Sequence, residues 1–328
     1  MAREIKKILV IKLSALGDFV LALAAMKKIR EAHPKARITL LTTPPFEELS
    51  RSCPYFNEVE TDGRPEGFSA WMALRGRIKR ARYDRVYDLQ TSAQSARIFH
   101  MLRPFPPEWS GIAAGCALPH RNHGRNDMHT LERHADQLKY AGIWPNAPVE
   151  PGSAPPPDLS WILRKAPPER PVAGAIQPRP YVIFIPGGSA HRLEKRWPGE
   201  SFGELGKILY DRGFDIVVVG GPQESALARL IQRYVGKARD LTGRTDFARV
   251  ALLGARAALV VGNDTGPLHM LAAAGAPTVA LFSAASEPAQ CAPRGHVTIL
   301  QCPDLKDLAL EPVFRAAQAY PSVPKAQK

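Results

Sequence analysis

Cysteine is scarce in this chain of 328 residues: four, at Cys53, Cys116, Cys291 and Cys302, with no C-x-x-C pair among them. That argues against a disulfide scaffold and a cysteine-held zinc, and it suits a reducing compartment. No stretch offers the roughly 18 unbroken apolar residues of a membrane-spanning helix. Acidic residues are outnumbered, 31 Asp and Glu against 44 Lys and Arg, for a formal net charge of +13. Such a surface attracts polyanions: nucleic acid, anionic lipid or phosphorylated glycan. Three nucleotide signatures are also missing. The first turn, LSALGD, lacks the G-x-G-x-x-G of a dinucleotide site, no G-x-x-x-x-G-K-[ST] occurs, and no Asp-x-Asp is present to hold a metal-bound sugar nucleotide. Repeats of solenoid length are absent.

What is there is a globular composition, 45% hydrophobic and 23% charged, long enough for two domains with cores of their own. The start, MAREIKKILVIKL, is basic and then apolar in the manner of a signal peptide. The apolar part is short, contains Lys12, and runs into a strand-turn-helix pattern rather than a cleavage-type tail, so a cytoplasmic protein is expected.

In the first half, strand-like KILVIKL, RITLLTT and YDRVYDLQ alternate with helix-like DFVLALAAMKKIREAH, FEELSRS and a helix ending at RIKRAR. Buried β-branched runs alternating with amphipathic helices indicate parallel βαβ units. The stretch from Ile98 to Arg133 is less regular and reads as loops. From Pro145 to Pro180 the chain is dense in proline, which suits an extended linker around one short helix at LSWILRK. The alternation then restarts with strands at YVIFIPGGS, DIVVVGG, AALVVGN and PTVALF. The expected organisation is an N-terminal lobe over 1–150, a linker over 151–180, a second lobe over 181–310 and a tail over 311–328. A ligand cleft is expected where strand ends meet.

Four segments carry chemistry. In LVIKLSALGDFVLALAAM, the small-residue turn Ser14-Ala15-Leu16-Gly17 leads to Asp18 at the start of a helix. A carboxylate there caps free N–H groups and complements the helix dipole, contributing about 0.5–2 kcal/mol. It is also a base in waiting if a second half-site exists. In ALVVGNDTGPLHMLAAAGAPTVALF, a strand ends at Gly262-Asn263, the turn Asp264-Thr265-Gly266 follows, and Pro267 takes the first helical position. Gly266 permits close backbone approach and the free N–H groups point one way, an anion cradle suited to phosphate. The competing reading is an ordinary helix capped by Asp264 or Thr265. In IPGGSAHRLEKRWPGESFGEL, the permissive turn Gly187-Gly188-Ser189 precedes a basic loop with Arg192, Lys195 and Arg196, pinned by Trp197-Pro198. A lysine on a pinned loop can neutralise a diphosphate; the plainer reading is a solvated basic loop. In DIVVVGGPQESALARL, Glu224 can accept both hydroxyls of a ribose, or simply complement the helix dipole. The histidines of PHRNHGRNDMHTLERH (His120, His123, His129, His134) have no cysteine partner and are crowded by arginine, so zinc is not expected. His129 and Arg133, four apart, are expected to share a helix face as an anion contact.

Taken in order, LVIKLSALGDFVLALAAM, GGSAHRLEKRWPGESFGEL, VVVGGPQES and VGNDTGPLHMLAAAGAPTVALF closely resemble glycosyltransferase family 9, the ADP-heptose:lipopolysaccharide heptosyltransferases. The resemblance implies an α/β, GT-B architecture: two Rossmann-like parallel-sheet lobes facing each other across a cleft, acceptor on the first and nucleotide sugar on the second. It implies inverting, metal-independent transfer of a heptose or related sugar from an ADP-sugar to a lipopolysaccharide inner-core acceptor. By position, Asp18 matches the catalytic base, Lys195 the lysine facing the donor diphosphate, Asp264-Thr265-Gly266 the diphosphate turn and Glu224 the ribose acid. Ser189 and His269 complete the implied donor set, and Ser14, Gly17, Gln90, His129 and Arg133 the acceptor set. No cofactor and no metal are implied, the ADP-sugar being a substrate.

The implied acceptor is an anionic Kdo/lipid A glycolipid, which brings peripheral contact with the cytoplasmic face of the inner membrane. Arg75, Arg77, Lys79, Arg80, Arg82 and Arg85 are the candidate contact residues; the plainer reading of them is a solvated helix face. Two departures stand out. After VALF the family usually continues Gly-Pro-Thr, where this chain has Ser283-Ala284-Ala285, and the region from Gln90 to Arg133 is only partly alike. The alternative is a family member that binds nucleotide sugars without catalysis. A nucleic-acid-binding protein is disfavoured, since no RNA-binding motif or aromatic stacking run occurs.

Overall fold

Four consecutive residues of β1 (Lys7–Ile11), Ile8 to Ile11, are wholly buried because β1 has a parallel neighbour on each side and is covered on both faces. The structure, a computed structural model, describes residues 4–165, 179–188 and 192–320. It divides into two compact units after Pro157. In the first, α1 (Leu16–Ala32), β2 (Arg37–Leu41), α2 (Glu47–Ser52), β3 (Glu58–Glu60) and α3 (Gly67–Ala81) follow β1. Then come β4 (Arg85–Asp88), α4 (Ala93–Met101), β5 (Glu108–Gly111), β6 (Leu118–Pro119) and α5 (Thr130–Tyr140). Its sheet has the order β3-β2-β1-β4-β5-β6, every pair parallel.

The second unit opens with α6 (Ser160–Lys165), β7 (Tyr181–Ile185), α7 (Gly199–Asp211), β8 (Asp215–Val218), α8 (Ser225–Tyr234), β9 (Arg239–Asp240) and α9 (Phe247–Gly254). It closes with β10 (Leu259–Asn263), α10 (Gly266–Ala273), β11 (Thr278–Phe282), α11 (Pro288–Cys291), β12 (Val297–Gln301) and α12 (Leu310–Gln318). Its sheet runs β12-β11-β10-β7-β8-β9, again all parallel. Counted from each unit's own first strand, the two orders are the same, the 3-2-1-4-5-6 of a doubly wound sheet. Phe184, Trp197, Phe202 and Phe214 fill the second core, with the Trp197 and Phe202 rings edge-on at 4.8 Å.

Three expectations from sequence need correcting. The helix at LSWILRK exists, but it belongs to the second unit: Trp161 and Ile162 are buried and α6 packs on α9. Of the expected linker, residues 166–178 lie outside the described residues. The expected tail is not one as far as Tyr320, because α12 drives Val313 and Ala317, four apart on one face, into the second core. The stretch read as loops holds β5 and β6, which bury Trp109 yet contain no β-branched residue to announce them.

The basic face of α3 is also smaller than its sequence implies. Arg77 pairs with Glu60 and Asp62, Arg85 pairs with Glu108, and Arg75 donates to the Met101 carbonyl, leaving Lys79, Arg80 and Arg82 exposed. Among the described residues, no helix is long and apolar enough to cross a membrane.

Candidate active site

In each sheet the strand order reverses between the first strand and the fourth, and the turns after those two strands meet at the sheet's carboxyl edge. Open α/β sheets bind ligands at this point. In the first unit the turns follow β1 and β4. Gln90 ties one to the other: its Oε1 accepts from the backbone N–H of Leu13 at 2.8 Å and of Ser14 at 3.3 Å. The Ser14 hydroxyl in turn accepts from Arg64. Gly17 and Asp18 lie in the first turn of α1. One Asp18 oxygen accepts from the Ala15 N–H at 3.3 Å, which is a capping contact. The other has no partner among the described residues. Capping therefore occupies one oxygen and leaves the second for a ligand.

Around that turn lies a buried polar cluster that sequence reasoning did not single out. Lys12, only 4% exposed, donates to the Leu89 carbonyl at 3.3 Å. Burial brings its ammonium down to about 8, with Asp18 and Asp88 pulling upward and Arg133 pushing further down. Asp88, wholly buried at the end of β4, accepts from the Gln90 and Thr91 N–H groups at 3.1 and 2.9 Å. Burial pushes its carboxyl up to about 6 against those hydrogen bonds. From α5, His134 donates to the same Leu89 carbonyl at 3.2 Å and Gln137 to the Asp88 carbonyl at 3.0 Å. Burial, with Lys12 and Arg133 nearby, holds the His134 imidazole well below its usual range. The only early hint was a lysine, Lys12, inside an otherwise apolar strand.

His129 does not share a helix face with Arg133. It sits one residue before α5 as its cap, buried, with Nδ1 accepting from the Leu131 N–H at 3.2 Å, while Arg133 reaches the Thr130 hydroxyl at 3.1 Å. The four-residue spacing fails because the helix begins only at Thr130. His120 pairs with Asp136 at 2.8 Å, and among the described residues no three His, Cys, Asp or Glu side chains gather as a metal group.

In the second unit the corresponding turns follow β7 and β10. Asn263, wholly buried at the end of β10, donates to the Pro186 and Gly187 carbonyls at 2.9 and 3.1 Å and accepts from the Trp197 N–H at 3.1 Å. It thereby locks the glycine turn and the start of the basic loop into one frame. Asp264 follows. Its Oδ2 accepts from Lys195 Nζ at 3.1 Å and from the Ser286 hydroxyl at 2.7 Å, and Oδ1 lies 3.6 Å from His269 Nε2. Burial alone would raise this carboxyl, but the contacts from His269 and Ser286 and the charge of Lys195 outweigh it and hold it at about 2.

Thr265 caps α10, and its buried hydroxyl has no partner among the described residues. Beside it are the unpaired N–H groups of the helix start. Glu224 is buried after β8 and approaches two glycines: a Cβ on Gly187 would meet its Cγ at 2.6 Å, and one on Gly220 its Cβ at 3.0 Å. Its carboxylate has no polar partner among the described residues. Ser189 lies outside the described residues. Ser286 went unnoticed in the sequence because it falls in the segment that departs from the family pattern, one residue beyond Ser283-Ala284-Ala285.

The two turns thus offer different chemistry: an open carboxylate oxygen in the first unit, and in the second a helix start flanked by a lysine and a buried acid. Comparison with known proteins gives this pair a context. Residues 71–300 match the family model for glycosyltransferase family 9 (heptosyltransferase). Lipopolysaccharide heptosyltransferase 2 of Escherichia coli K12 is 27% identical over 319 residues, covering 85% of this chain and 83% of that protein. The solved structure of E. coli ADP-heptose lps heptosyltransferase II aligns over 96% of this chain and 98% of its own, with a TM-score of 0.75 at 23% identity. An E. coli heptosyltransferase solved with ADP aligns over 96% and 99%, with a TM-score of 0.75 at 21% identity. With a family model spanning most of its length and a GT-B fold of two Rossmann-like sheets, the chain belongs to glycosyltransferase family 9 and is a glycosyltransferase.

Proposed function

We propose that this enzyme moves a heptose, or a closely related sugar, from an ADP-sugar to an anionic lipopolysaccharide inner-core acceptor of the Kdo/lipid A type. In this reading transfer proceeds with inversion and without a metal, at the cytoplasmic face of the inner membrane. The observation that carries it is the frame around Asp264. An ionised carboxylate fixes Lys195, Ser286 and His269 beside a helix start whose Thr265 hydroxyl has no partner among the described residues and whose first N–H groups have none within the helix. Such a frame suits a diphosphate. Glu224, buried and without a polar partner among the described residues, suits the two hydroxyls of a ribose. The names of the relatives support the choice of ADP-heptose and of lipopolysaccharide.

The chemistry follows from these groups. The acceptor hydroxyl attacks the anomeric carbon from the side opposite the leaving ADP. As the new bond forms the hydroxyl becomes acidic, and the open oxygen of Asp18 collects its proton late. Charge growing on the leaving diphosphate is taken up by Lys195 and the α10 N–H groups, positions already filled by donors before reaction. Asp264 accepts no proton in this scheme; it orients the lysine.

The test is to incubate the protein with ADP-heptose, and separately with UDP-sugars, plus Kdo-lipid A, and to follow nucleotide release. Release from UDP-sugars alone would overturn the donor assignment. Asp18→Asn is expected to leave ADP affinity intact and to lower turnover by roughly two to four orders of magnitude. Unchanged turnover returns Asp18 to the role of cap, and ADP binding without any turnover in the wild type returns the chain to the non-catalytic reading.

A further inference from the structure

Helix α3 has a one-signed surface. Its fifteen residues, GFSAWMALRGRIKRA, contain no Asp or Glu, and across 63–82 the only acid is Glu66, against six basic residues. Its outward side is unusually apolar at one end: Phe68 is 80% exposed and Met72 39%. Phe68, Met72 and Lys79 stand at i, i+4 and i+11, which brings them within about 40° of one another around the helix axis. Arg80 follows, and Arg82 caps the helix in the left-handed region. Among the described residues, Lys79, Arg80 and Arg82 have no acidic partner, unlike Arg77 and Arg85.

The surface continues past the helix. Lys79 and Arg82 line a hollow of about 780 Å³ with Tyr83 and Phe105, and Phe105 is 87% exposed. The two acids at that hollow are already engaged, Glu108 by Arg85 and Asp84 by the N–H groups of Lys6 and Lys7. At the other end, the segment leading into α3 carries Arg64, which donates to the hydroxyl of Ser14 in the Asp18 turn.

We propose that the outward face of α3 is a docking surface for an anionic lipid bilayer, with Phe68 and Met72 entering the headgroup layer and Lys79, Arg80 and Arg82 meeting lipid phosphates. Exposed aromatic and thioether side chains beside cations of one sign are the composition of an interfacial helix. A protein partner would more commonly be met by mixed charge, and a nucleic acid gains nothing from Met72. The inference deepens the function proposed above and rests on it for its purpose: it names the surface that brings the acceptor lipid to the turn that Arg64 joins to α3. Each Lys or Arg at an anionic surface contributes about fivefold to partitioning, so three give a preference on the order of 100-fold over a neutral surface.

The full chain is sedimented with extruded vesicles of phosphatidylglycerol and phosphatidylethanolamine, and with phosphatidylcholine vesicles. A 20-nucleotide single-stranded RNA serves as competitor. Wild type is expected to bind the anionic vesicles on the order of 100-fold more tightly than the neutral ones. The triple variant K79E/R80E/R82E and the double variant F68S/M72S are each expected to lose at least about tenfold. Circular dichroism and ADP affinity report folding of the variants, and transfer to Kdo-lipid A stripped of its acyl chains is expected to be unchanged in both. Equal binding to the two vesicle types, wild-type binding by well-folded variants, or RNA that displaces the vesicles through Lys79, Arg80 and Arg82 overturns the proposal. Vesicle binding without sugar transfer by the wild type would leave the surface standing and overturn the transferase reading instead.

Discussion

Replacing Asp264 by asparagine removes the charge on which Lys195, His269 and Ser286 converge. The carboxyl falls from an ordinary 3.8 to about 2 in the folded chain. At ~1.4 kcal/mol for each tenfold in an ionisation constant, that corresponds to about 2 kcal/mol of folding stability at neutral pH. The side chain is well enclosed, so solvent screening removes little of it. The sign is fixed by linkage. A carboxylate depressed on folding stabilises above its unfolded value, and the gain is lost as pH falls through the folded value, between about pH 5 and pH 1. Urea unfolding followed by tryptophan fluorescence is a suitable assay, because Trp197 is buried in the same unit, with its backbone N–H held by Asn263 and its indole N–H by the Leu308 carbonyl. Asp264→Asn is expected to be less stable than wild type by about 2 kcal/mol at pH 7, with roughly half of that gap gone at pH 3. A gap that stays constant from pH 7 to pH 3, or a variant as stable as wild type at pH 7, would refute the assignment of this carboxylate as the ionised centre of the frame.

Gly187→Ala places a methyl 2.6 Å from Cγ of Glu224 and must swing that side chain aside. ADP affinity by calorimetry is expected to fall about tenfold, or ~1.4 kcal/mol, with the circular dichroism spectrum unchanged; undiminished affinity would rule out Glu224 as the ribose acid. Lys12→Met removes an ammonium that burial has brought from 10.5 to about 8. Since the unfolded chain binds more protons between those values, wild type gains stability as pH rises from about 8 to about 10.5, whereas the methionine variant does not. The variant should therefore be the more stable of the two at pH 7, with the difference shrinking toward pH 10, while turnover drops because Asp18 loses a neighbouring cation. Unfolding at pH 7 and pH 10 tests this, and a flat wild-type profile contradicts it.

The sheets were legible because parallel strands buried on both faces spell themselves out, as in VIFI or LVV. The turns that end them were legible because glycine, proline and short polar residues have few other uses there. Asp18, Lys195, Glu224 and Asp264 could be placed on turns for that reason. The polar cluster of Lys12, Asp88, His134 and Gln137 could not, because its members come from the end of β1, the end of β4 and α5, and only the fold gathers them around the Asp88 and Leu89 carbonyls. Strands β5 and β6 were hidden by their brevity and by the absence of β-branched residues. The opposite error occurred around α3, where a run of basic residues looks like one charged face although Arg77 on the helix and Arg85 on β4 are satisfied within the unit. A linear charge count cannot distinguish a side chain spent on a neighbour from one left for a partner.

The matching strand orders of the two sheets carry a consequence for how such a catalyst can change its trade. Each half carries its switch-point turns at an equivalent station, built from its own residues and tied together by one side-chain amide, Gln90 in one and Asn263 in the other. If the proposed division of labour holds, with acceptor on the first unit and nucleotide sugar on the second, a new acceptor specificity requires changes only before Pro157. A hybrid spliced at the Pro157–Asp158 boundary is the natural way to exchange one specificity at a time.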